Sequence, residues 1–140
     1  MAMNTKDILG KMASILPWRS QRLLSLPEVI GNDSVKNALY LGTHSVSLDQ
    51  IRGSASPGKC KDFDVNFRLV NGHNTKRWTG IYQARTSGRG LPPVTLIQVG
   101  DIYFVEDGHH RISVAYALGD AEIEGQITIW QLSQSQPVEG

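Results

Sequence analysis

The most constraining feature of this 140-residue chain is a change of hydrophobic period at one glycine. Residues 94–99 and 102–106 are runs rich in β-branched and aromatic side chains, joined by Gly100-Asp101, a two-residue connection suited to a tight hairpin. Beyond Asp107-Gly108 the pattern turns helical: Ile112, Ala115 and Tyr116 share one side, and Gly119 stands where a helix would stop. Residues 122–130 return to period two, with Ile123, Ile127 and Ile129 on one face. The expected order is strand, strand, helix, strand.

A strand that passes through glycine directly into a helix aims unpaired backbone N–H groups and the positive end of the helix dipole at one spot, an anion site by construction. Gly108 lets the main chain approach a ligand closely or take a positive φ. Arg111 falls in the first helical turn, where a cation is disfavoured by roughly 0.3–1 kcal/mol. An anion would offset that field, and a planar guanidinium suits phosphate. His109 and His110 are neighbours, which on a helix face different ways, so they are not expected to share a metal. So close to a helix N-terminus their imidazoles should be neutral, able to give or take a proton. Asp107 is a candidate general base, or the holder of a magnesium ion that arrives with a nucleotide. A purely structural reading makes Asp107 a helix cap, Gly108 a turn residue and the histidines packing groups, and leaves Arg111 unexplained.

The length is that of one ordinary domain, and 40% hydrophobic and 19% charged residues are globular values. No apolar run approaches the roughly 18 residues of a membrane span. Residues 1–10 already contain Lys6 and Asp7, so no secretory signal is expected, and the single Cys60 fits a reducing, cytoplasmic setting. The net charge of +1 hides an asymmetry: residues 52–89 carry eight Lys or Arg against two acids, whereas residues 101–140 carry seven acids against Arg111. Two faces that attract one another in the fold, or a basic rim around an anion, would both produce it.

Along the rest of the chain, Asn4 or Thr5 can cap a helix with Ile8, Met12, Ile15 and Leu16 at helical spacing up to Pro17. A short helical stretch is expected over 22–30 and an extended segment over 40–48. Gly53, Pro57 and Gly58 point to a loop over 52–61. Trp78, Ile81 and Tyr82 mark a helix over 75–85, as core residues or as an exposed stacking platform. The division expected is an N-terminal helical extension (1–39), one domain (40–131) and a flexible tail (132–140). Cys60, between Lys59 and Lys61, reads as an exposed bystander, with an activated thiol as the alternative. His44 and His73 are isolated, so no metal site is expected. Asp62 and Asp64 read as helix caps, or as carboxylates that activate a hydroxyl or position magnesium.

Within residues 91–130, the run Val105-Glu106-Asp107-Gly108-His109-His110-Arg111-Ile112-Ser113-Val114-Ala115 resembles the core of the ParB-like nuclease/sulfiredoxin superfamily, in its Asp-Gly-His-His-Arg subgroup. Ile51-Arg52-Gly53-Ser54, Asp62-Phe63-Asp64 with Phe67, and Arg77-Trp78 are similar to patterns in bacterial proteins of this type, extending the resemblance over about residues 40–130. The resemblance implies an α+β fold, a small mixed sheet with flanking helices, in which a glycine-led helix holds nucleotide phosphates. It assigns phosphate or nucleotide binding to Gly108, His109, His110, Arg111, Arg52 and Ser54, and catalysis to Asp107, His109 and His110. Asp62, Asp64 and Arg77 are secondary candidates.

Members of the superfamily include nucleotide-hydrolysing partition proteins, nucleases, reductases of cysteine sulfinic acid and a kinase of free serine that uses ADP. Sulfiredoxins carry a cysteine where this chain has His109, so sulfinic acid reduction is not expected. Ten residues follow Trp130, so the DNA reader of a partition protein is not expected. The expected activity is phosphoryl transfer or nucleotide hydrolysis, with a nucleotide of the ATP, ADP or CTP class, with or without Mg2+, or a phosphorylated small molecule as ligand. A metal-dependent nuclease acting on DNA and a non-catalytic nucleotide-sensing or partner-binding module are the alternatives. No membrane partner is expected.

Overall fold

The computed structural model describes residues 22–70 and 75–133. The helix expected before Pro17 and all but the first two residues of the expected tail lie outside them. Six strands form one mixed sheet: β1 (Leu24–Ser25), β2 (Ser34–Ser47), β3 (Ile51–Ser54), β4 (Val94–Val99), β5 (Ile102–Asp107) and β6 (Glu122–Ser133), in the spatial order β1-β3-β5-β4-β6-β2. The β4–β5 hairpin is antiparallel about Gly100, whose φ of 63° suits the tight turn. β3 runs parallel to β5, β6 runs parallel to β4, and β2 closes the far edge antiparallel to β6. Three helices accompany the sheet: α1 (Leu26–Ile30), α2 (Thr75–Thr86) and α3 (His109–Ala117). The α+β class and the mixed sheet with flanking helices are as expected, and the order β4, β5, α3, β6 is the one that the hydrophobic periods imply.

The alternation within each strand splits the apolar residues between two faces. On one face Val94, Leu96, Val105 and Ile127 pack with Ile112 and Ala115 of α3 and with Phe63 and Phe67. On the other, Ile97, Val99, Ile102, Phe104 and Leu132 pack with Leu26 and Val29 of α1. α3 is therefore anchored by one buried stripe, while its N-terminus emerges from the end of β5.

Three expectations are corrected. The extended segment read over 40–48 begins at Ser34, and Leu23, Leu24, Leu26 and Val29 join the core, so the sheet and its core draw on residues ahead of position 40. The loop read over 52–61 contains strand β3 and a 3-10 helix, Pro57–Lys61. Gly53 is there because a Cβ would lie 2.5 Å from the Leu24 carbonyl and 2.6 Å from the Phe104 ring, a close strand approach and not a turn. Cys60 is buried, its thiol 3.4 Å from the Leu24 carbonyl. Burial, helped by Glu28, pushes that thiol up to about 11, the reverse of activation.

Candidate functional site

β5 ends at Asp107 and α3 starts at His109, so Gly108 alone makes the corner. Its φ is 109°, and a Cβ on it would lie 2.5 Å from Val94 Cγ1, so both backbone conformation and space demand glycine. The Gly108 carbonyl accepts the first helical bond, from Ile112 N–H at 3.0 Å. The N–H groups of the residues between start the helix with no carbonyl of their own helix to bond. Around them lies a cavity of about 260 Å³, lined by residues 107–111, by Arg77 and Ile81 of α2, and by Lys59.

The adjacent histidines do separate, as neighbours on a helix must. His109 is buried against Phe63, rings stacked at 5.9 Å, and its Nε2 lies 2.7 Å from Ser54 Oγ. That hydroxyl also accepts from the Ser56 N–H at 2.9 Å and reaches the Ser56 carbonyl at 3.2 Å. A hydroxyl has one proton, so Ser54 donates either to His109 Nε2 or to a carbonyl, and the tautomer of the neutral ring follows that choice. Burial, then the charges of Lys59 and His110, hold His109 down to about 4, against a small opposing effect of Asp107.

His110 is only 4% exposed, its ring edge-on to Phe63 at 5.2 Å. Its Nε2 is the only buried side-chain N or O atom without a hydrogen-bond partner among the described residues. Leaving such an atom unpaired costs about 1–3 kcal/mol. Burial, Lys59 and Arg77 push its titration down, while Asp62 acts the other way. Both histidines thus register a positive field that comes from outside their own helix.

The structure redistributes the residues proposed from sequence. Arg111 is committed: its guanidinium donates to the carbonyls of Pro92 at 2.8 Å and Pro93 at 3.1 Å, and to Asp107 Oδ2 at 2.8 Å. The counter-charge expected from an anion is supplied by Asp107 four residues earlier, so Arg111 ties the start of β4 to the corner. Asp107 and Arg111 still line the cavity. Ser54 is fully buried behind His109 and positions that ring, without reaching the cavity itself. Arg52 is exposed and folds back on the Asp49 carbonyl at 2.7 Å, and it does not line the cavity either. Asp64 organises a turn, its Oδ1 accepting the N–H groups of Asn66 at 2.8 Å and Arg68 at 2.9 Å. Asp62 bears on the site only through its charge on His110.

Arg77 does reach the cavity, and so do Lys59 and Ile81, which the motif did not include. The one signal for Lys59 was its place in the basic middle segment. Among the described residues no group of three His, Cys, Asp or Glu side chains is arranged to hold a metal ion, and no helix is long and apolar enough to cross a membrane.

No family model and no curated protein matches this chain. Among solved structures, a sulfiredoxin from Arabidopsis thaliana aligns over 61% of this chain and 82% of its own, at 18% identity and a TM-score of 0.45.

Proposed function

We propose that the chain binds a nucleotide or another small phosphorylated molecule, with its phosphate at the N-terminus of α3. The observation that carries this reading is the cavity at the open end of a helix, which also gathers Lys59 and Arg77 and counts in its lining His110, whose buried Nε2 has no hydrogen-bond partner among the described residues. A helix cap or a packing histidine needs none of these cations, and bringing like charges together is unfavourable unless a negative guest offsets it. Phosphate oxygens would accept from the first-turn N–H groups and from Lys59 and Arg77.

The cavity of about 260 Å³ is suited to the phosphate end of a ligand, the remainder extending outward. Asp107 and His110 are the lining groups able to move a proton, so transfer or hydrolysis of a phosphoryl group would run through them and not through His109, which is locked on Ser54. Were magnesium to arrive with the nucleotide, Asp107 is the lining carboxylate that would hold it.

A small ligand is favoured over a nucleic acid backbone because the basic middle segment is not one open strip. Arg85 is held by both oxygens of Asp120 at 2.6 and 2.8 Å, and Arg68 leans on Asp64 at 4.0 Å. The test is calorimetry with ATP, ADP and CTP, with and without Mg2+, on the parent chain and on Arg77→Ala and Lys59→Ala. Each variant should lose about 1.5–3 kcal/mol of affinity, roughly tenfold or more, with the fold unchanged. Equal affinity in all three proteins would remove the proposal. Phosphate release over time separates turnover from binding alone.

A further inference from the structure

A second cavity, about 520 Å³, opens between α2, α3 and the turn around Phe67, and it shares no lining residue with the phosphate cavity. Its size falls within the few hundred to a thousand Å³ usual for small-molecule sites. Phe67, Trp78 and Tyr116 line it, with the polar Asn66 and Arg68 beside them. The polar tips of those rings are already engaged: the Trp78 indole N–H donates to Ser113 Oγ at 2.8 Å, and the Tyr116 hydroxyl to the Leu48 carbonyl at 2.8 Å. Each ring is also propped by another. Phe67 stacks on Tyr116 at 5.9 Å and 16°, and Tyr82, which does not line the cavity, stacks on Trp78 at 5.4 Å and 15°.

Two further observations set these walls apart from ordinary packing. Phe67 is the only non-glycine among the described residues at positive φ, 57°, and it is held there by its N–H bond to the Asp64 carbonyl at 2.8 Å. A bulky residue adopts this backbone region only where its surroundings enforce it. In addition, α2 buries none of its residues. Its Trp78 and Ile81 each line one of the two cavities, and Tyr82 backs Trp78. The large apolar residues of this helix are therefore spent on cavity walls and not on the core.

We propose that this second cavity binds a planar aromatic or heteroaromatic ring. The Trp78 and Tyr116 rings, propped from behind by Tyr82 and by the fully buried Phe67 and with their polar tips engaged, offer stacking, which favours a flat ring over a flexible acyl chain. Two sources supply such a ring: the base of the nucleotide whose phosphate lies at Gly108, or a separate aromatic metabolite. The inference stands independently of the phosphate reading.

The test follows the Trp78 indole N–H signal of the 15N-labelled chain, assigned by its loss in Trp78→Phe, during titration with adenosine, indole and ATP. A saturable shift is expected with at least one of them, weakened at least tenfold in Ala117→Phe, which adds bulk from an exposed position on the cavity rim. If ATP moves both the Trp78 signal and the Gly108 amide with one Kd, the ring is the base of the same ligand. If adenosine or indole moves Trp78 and leaves Gly108 still, the ring belongs to a ligand of its own. Response at Gly108 without any at Trp78, silence of Trp78 toward all three compounds, or shifts that Ala117→Phe leaves unchanged would overturn the inference. Response at Trp78 with a silent Gly108 under ATP would count against the phosphate reading alone.

Discussion

Gly108 is constrained by its φ of 109° and by Val94 Cγ1, which a Cβ would approach to 2.5 Å. Gly108→Ala should cost about 2–5 kcal/mol, backbone strain and overpacking together, read as a lower urea midpoint. Val94→Ala in the same chain should recover only the overpacking share. Arg111→Ala should act on stability as well as on any ligand, because it removes bonds to Pro92, Pro93 and Asp107, a loss of about 1–3 kcal/mol in chemical denaturation. Unaltered stability would return Arg111 to the role of a free phosphate grip.

His109 sets a pH dependence. Its titration lies near 4 in the folded chain against about 6.5 when unfolded, so the unfolded chain takes up the extra proton first. Its contribution is complete above pH about 6.5 and is lost as pH falls toward about 4, a total of about 3 kcal/mol. His110, shifted the same way, steepens the loss. Urea midpoints measured from neutral to acid pH should show this decline, and His109→Gln should flatten it.

At the scale of elements, α2 is the least anchored of the long segments. It buries nothing, and it is tied to its surroundings by Trp78 to Ser113 and by Arg85 to Asp120. The Arg85–Asp120 pair is partly exposed, so Asp120→Asn should cost less than about 1 kcal/mol globally. Its signature should be faster amide exchange in α2 with protection in β4, β5 and α3 intact. Equal protection of α2 and α3 in both proteins would show that α2 is held by more than these ties.

The β4, β5, α3, β6 succession was legible because each element carries its own period and each junction its own glycine. β3 was not, because Gly53 carries the local signature of a turn while its cause is the Phe104 ring on a neighbouring strand, which no local pattern reveals. The same holds for the burial of Cys60, decided by β1 and β3, on which its 3-10 helix packs, and not by the lysines beside it in sequence.

For the whole molecule, the charge asymmetry resolves into a few contacts. Arg85 meets Asp120 across the fold, Arg111 meets Asp107 locally, and Lys59 and Arg77 are gathered at the helix end. The corner and its histidines were readable from a strand, a glycine and a helix in succession. The cations that give the corner its field were not, since Lys59 and Arg77 arrive from a 3-10 helix and from α2, through tertiary packing alone. The aromatic cavity was hidden for a similar reason: Trp78 could be read as core or as platform, and only the position of α2 over α3 decides that it forms a wall.

The central claim is that an anion binds at the opening turn of α3. Its most direct measurement is a titration of the 15N-labelled chain with pyrophosphate, followed at the amides of Gly108, His109 and His110. The account predicts saturable shifts centred on those amides, at least tenfold weaker in the Lys59→Ala, Arg77→Ala double variant. Amides that stay in place while pyrophosphate binds elsewhere or not at all, or shifts unchanged in the double variant, would contradict it.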